Sequence, residues 1–167
     1  MSKPVAQLNR EIATVLAKPA LKLKRRGIPA KAHGPSQDTI QLYMSEACPH
    51  FAIALHHLTK WPLAMLVDEA AQEEWNGEEY PTIAHVFVVR PDGVAVDVKG
   101  PRSITAIKAD FFDLEEPRVE KIGAGELASM MGDGKPLHAC GLTELNVAKR
   151  LIQHNTAFYL AKRAPGS

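Results

Sequence analysis

The chain has 167 residues, 46% of them hydrophobic, and a formal net charge of +1. That length carries one domain with its own core, and the near-zero charge supplies no overall field for nucleic acid or anionic membranes. No apolar run approaches the ~20 residues of a membrane span, two cysteines are too few for a disulfide framework, and "IATVLA" after Arg10 and Glu11 is too short for a signal-peptide core. The expectation is a cytoplasmic chain with reduced thiols, or one delivered without a cleaved signal peptide.

Val5, Leu8, Ile12 and Val15 or Leu16 recur at helical spacing and predict a helix over 5–17, which Pro19 ends. "KPALKLKRR" (18–26) carries only positive charges, and residues 18–38 read as an irregular basic arm. Residues 1–38 are therefore taken as an N-terminal helix and arm, and 39–167 as a single α+β domain. Ile40–Met44 reads as a short strand or a turn of helix. In "SEACPHFAIALHHLTKWPL" (45–63), Pro49 suits the first turn of a helix whose apolar stripe is Phe51, Ala52, Leu55 and Leu58. Pro62 disfavours helix at Trp61, a core candidate. "LAMLV" (63–67) predicts a short buried strand. "DEAAQEEWNGEE" (68–79) carries only negative charges and reads as an acidic loop.

"IAHVFVVRPDGVAVDVKG" (83–100) predicts a hairpin, because β-branched residues flank strong turn chemistry. A three-residue turn with Gly93 in the left-handed position sets Arg90 opposite Val94. Val86, Val88, Val94, Val96 and Val98 then share one face. His85, Phe87, Val89, Ala95 and Asp97 share the other, with Asp97 facing Phe87 and diagonal to His85. "SITAIKADFF" predicts a helix capped by Ser103, "RVEKI" (118–122) a strand and "GELASMM" a short helix. Residues 142–163 predict one long amphipathic helix with Thr143 as cap. The fold expected is α+β: a small antiparallel sheet packed on a central helix that starts at Cys48, with flanking terminal helices.

Cys48 stands at that helix start, where the backbone dipole favours a thiolate by roughly 0.3–1 kcal/mol at an exposed site. His85 on the sheet supplies a base, and Asp97 on the neighbouring strand an orienter for the imidazole. The backbone N–H of Cys48 suits an oxyanion. Gln41, seven residues upstream, is a candidate second donor, and Trp75, in the acidic segment, a candidate for lining a cleft or contacting a partner.

This order of helix-starting Cys, strand-borne His and Asp on the next strand resembles the papain-like and transglutaminase-like cysteine enzymes over residues 45–105. "HVFVVRPDGVAVDVKG" is most similar to the transglutaminase core, which bacterial cysteine effectors and deamidases share. Pro49 stands where that core often has an aromatic residue after the Cys, and Val86 and Phe87 where it often has a Trp after the His. The resemblance implies a cofactor-free acyl-enzyme route. Cys48 attacks a carbonyl carbon, His85 protonates the leaving amine, and water or an amine resolves the thioester. The function expected is an amide hydrolase, a deamidase or peptidase acting on a protein or peptide. An acidic loop bordering the site would favour a basic substrate.

Other readings compete. Cys140, ahead of a helix with His138 nearby, is a rival nucleophile, but no later strand offers a base and orienter, so it reads as structural. His50, His56 and His57 share one helix at spacings that give no close pair on one face. Without H-E-x-x-H or C-x-x-C, no metal is expected. "DGVAVD" lacks the remaining ligands of a calcium loop, and "GDGK" has no P-loop order. The alternative function is a non-catalytic protein-binding module, an adaptor or inhibitor, working through the C-terminal helix or the basic arm. Nucleic-acid binding through residues 18–33 would lack interleaved aromatics.

Overall fold

The computed structural model describes residues 34–132, 134–137 and 142–161. The predicted helix over 5–17, residues 18–33 of the basic arm, His138 and Cys140 lie outside the described residues. Two helices come first, α1 (Gln37–Met44) and α2 (Cys48–Thr59). Strands β1 (Leu63–Trp75), β2 (Glu78–Val89), β3 (Ala95–Asp97) and β4 (Gly100–Arg102) follow, then α3 (Ile104–Asp110), β5 (Pro117–Ile122), α4 (Ala124–Ser129), α5 (Leu142–His154) and α6 (Thr156–Tyr159). The five strands form one antiparallel sheet in the order β4-β3-β2-β1-β5. The fold is α+β, with the sheet packed against helices. Among the described residues no helix is long and apolar enough to cross a membrane.

The segment around Ile40–Met44 is helix. Ser36 caps α1, its hydroxyl accepting from Thr39 N–H at 3.3 Å, so helix begins inside the stretch expected to be irregular. In α2, Cys48 is the first helical residue and Pro49 the second, where no intrahelical N–H is needed. The helix ends at Lys60 in the left-handed conformation (φ 61°), its N–H bonded to His56 O at 2.7 Å. Phe51, Ala52, Ile53, Ala54 and Leu55 are all buried. A helix apolar nearly all round must be covered on both sides, and α2 lies between β2 and α5. Each large side chain buried there contributes roughly 1.5–3 kcal/mol.

The Pro91–Gly93 hairpin has the expected register. Val88 pairs with Val96 and Val89 with Ala95, Gly93 has φ 82°, and Arg90 N–H bonds Val94 O at 2.8 Å. Val86, Val88, Val96 and Val98 join the main core with α2, whereas Phe87 and Ala95 join a smaller cluster with Leu66 and Ile107. The sheet differs from expectation at 68–79. These residues form no loop. β1 continues to Trp75 and pairs with β2 from Glu78, closed by Asn76 and Gly77 at φ 54° and 80°. Consecutive left-handed residues match the twist of a two-residue hairpin. Asn76 Nδ2 also donates to Gly134 O at 2.7 Å.

Two further differences concern ends. β4 was not anticipated. It follows β3 through a tight turn in which Asp97 Oδ1 accepts Lys99 N–H at 2.9 Å and Gly100 adopts φ 95°. A Cβ at Gly100 would stand 2.7 Å from Phe158. The C-terminal helix is two pieces. Asn155 Nδ2 donates to Leu151 O, and Thr156 Oγ1 to Ile152 O and Gln153 O, so side chains capture carbonyls near the break. Thr143 is not a cap, because α5 starts before it at Leu142.

Candidate active site

The site is built where α2 begins and where β3 turns away from β2. Opposite Leu66 the β1–β2 register shifts. Leu66 pairs with His85 but Val67 with Ile83, leaving Ala84 as a bulge residue. A bulge bends and twists its strand locally, here next to His85. Asp97 is the last residue of β3, fixed by its own turn. His85 Nε2 and Asp97 Oδ2 are 2.9 Å apart and form a buried pair.

Cys48 is the third member. Its thiol has a long contact to Ser45 O, 3.9 Å, and its proximity raises the pKa of the His85 ring. Asp97 occupies Nε2, so Nδ1 is the ring nitrogen left for the thiol. Nδ1 is buried and has no hydrogen-bond partner among the described residues. Burial opposes protonation of His85, but the hydrogen bond to Asp97 and the proximity of Cys48 outweigh it, and its pKa is raised to about 9. Burial pushes the Asp97 carboxyl up, yet His85 and then Arg102 pull it further down, below the usual carboxylate range.

Arg102 was not among the residues expected at the site. Its guanidinium pairs with both Asp97 and Asp110, and Nη2 lies 3.8 Å from Met44 Sδ. Burial disfavours its charge, but Asp97 and Asp110 hold its pKa above the ordinary value. The one available signal was chemical: a buried Asp between strands needs more partners than one imidazole. Phe111, expected inside the helix of "SITAIKADFF", is instead the C-cap residue of α3. Its ring lies 5.3 Å from that of His85.

The three residues are nearly closed to solvent: Cys48 is 4% exposed, His85 0% and Asp97 1%. Beside them runs a groove of about 470 Å³ lined in part by Gln41, Met44, Ser45, Lys99, Asp110 and Phe111. Each site residue is one contact from this groove: Cys48 through Ser45, His85 through Phe111, Asp97 through the Lys99 N–H. Gln41 stands in the groove wall on the Cys48 side. The backbone N–H of Cys48 donates to no carbonyl among the described residues.

Trp75 is not part of this arrangement. It lies at the tip of the β1–β2 hairpin, nine residues beyond Leu66, the partner of His85. At about 3.3 Å per residue that is up to ~30 Å along the strand. Its indole N–H bonds Glu73. The far part of the acidic run, Glu73 to Glu79, lies with it toward the hairpin tip. His50 and His57 are buried within α2, and among the described residues no three His, Cys, Asp or Glu side chains converge as metal ligands. Comparison of the chain with protein-family models, with curated proteins and with solved structures yields no match.

Proposed function

We propose that this chain is a cysteine-dependent amide hydrolase, a deamidase or peptidase acting on a protein or peptide, built like the papain-like or transglutaminase-like enzymes. The observation that carries the reading is the buried His85 ring, bonded to Asp97 through one nitrogen and acted on by Cys48 at the start of α2. In this reading His85 holds a proton and stabilises a Cys48 thiolate. The sulfur attacks the substrate carbonyl carbon, and the oxyanion takes the Cys48 N–H and the Gln41 carboxamide. His85 passes its proton to the leaving nitrogen, which departs as ammonia from a Gln or Asn side chain or as an amine from a peptide. Water gives a proton to the neutral imidazole and attacks the thioester carbonyl; the carboxylic acid leaves, restoring the Cys48 thiolate and the protonated His85. The groove supplies the approach, and a reducing, cytoplasm-like compartment suits the free thiol.

The near-complete burial of all three residues favours a second reading, a binding module on the same fold without catalysis. Intact-mass analysis after exposure to iodoacetamide separates the two. The hydrolase reading expects one adduct at Cys48, located by peptide mapping and lost in His85→Ala. A native protein whose Cys48 stays unmodified, with or without His85, is a binding module.

A further inference from the structure

We propose that Arg102 is a positioning residue of the site, fixing Asp97 against His85 and balancing the site's charge. The proposal rests on the hydrolase reading above. Asp97 is saturated. Oδ1 accepts Lys99 N–H at 2.9 Å, while Oδ2 meets both His85 Nε2 at 2.9 Å and the Arg102 guanidinium. A carboxylate held from three sides cannot rotate away from the imidazole. The guanidinium is itself anchored from outside by Asp110, which also pairs with Lys99 at 2.8 Å. Arg102 therefore cannot leave Asp97 without breaking a second ion pair.

Charge counting gives the anchor a chemical purpose. A Cys48 thiolate, a His85 imidazolium and the Asp97 carboxylate together carry one net negative charge in a space that solvent barely reaches. An uncompensated buried charge is costly, and the group able to relieve it by taking a proton is the thiolate. The permanent cation of Arg102 brings the sum to zero. Asp110 needs nothing from that sum, because Lys99 compensates it. Arg102 thus lets the thiolate and the carboxylate remain ionised together, without touching the substrate.

The test reads the pH dependence of Cys48 alkylation by iodoacetamide in the full chain, with the adduct located by peptide mapping. Arg102→Met should move the midpoint upward, because losing the cation leaves the site one charge more negative. Arg102→Lys should keep the wild-type midpoint, because the charge stays. Asp110→Asn should also leave it in place, since the triad's balance is unchanged, though the fold loses an ion pair. A midpoint in Arg102→Met close to that of the wild type overturns the proposal. If Arg102→Met does not fold, Arg102→Gln takes its place: a raised midpoint supports the proposal and an unmoved one overturns it. A wild-type rate indifferent to His85→Ala removes the hydrolase reading instead, so the two failures are distinct.

Discussion

The protonation of His85 ties the site to the stability of the whole fold. Its pKa is raised to about 9, against an ordinary 6.5. The difference amounts to about 3 kcal/mol, at 1.36 kcal/mol per unit. Because the folded chain holds this proton more tightly than the unfolded chain does, the stabilisation is complete below pH 6.5. It is lost as pH rises from 6.5 through about 9. The depressed Asp97 reflects the same contact, so the interaction counts once. Urea unfolding of wild type and His85→Gln, at about pH 6 and about pH 9.5, isolates the effect by subtraction. The advantage of wild type should shrink by up to about 3 kcal/mol across that window. An advantage that stays constant, or grows with pH, refutes the reasoning, and titration of the His85 ring protons by NMR checks the midpoint directly.

Cys48→Ala removes the second influence that raises His85. The same NMR titration should show the imidazole pKa falling by about one unit or more. Gly100→Ala should cost about 2–4 kcal/mol in chemical denaturation, from a left-handed alanine and a clash with Phe158. Adding Phe158→Ala should relieve the clash but not the backbone strain, so a double-mutant cycle should show coupling. Asn76→Ala should cost about 1–2 kcal/mol, since it loses both a residue tolerant of positive φ and the hydrogen bond to Gly134 O.

The second hairpin was legible because "PDG" is local chemistry: one turn fixes the register, and the register sorts every side chain between two faces. The first hairpin carried an equally local signal, Asn76–Gly77, but it sits among Glu and Gln residues that disfavour strands. Pairing of Glu73 with Tyr80 and of Trp75 with Glu78 overrides that preference. The Ala84 bulge left no mark in the sequence, because it arises only when β1 and β2 meet. Asn155 and Thr156 were readable as carbonyl-capturing side chains, yet the amphipathic pattern ran straight through them. Of the site, residue types and chain order suggested Cys48, His85 and Asp97. Arg102 belongs to no motif in the sequence, and only the β3–β4 turn brings it to Asp97. Trp75 was misplaced together with the loop that was to hold it.

The outermost strands bear on how this molecule behaves when crowded. An unpaired strand edge invites a neighbour to extend the sheet, and proline and charge are the usual deterrents. On one flank β4 has only three residues and Pro101 at its centre. On the other, β5 opens with Pro117 and carries Arg118, Glu120 and Lys121. Among the described residues, neither of these two outermost strands presents a long apolar template for a neighbour to extend.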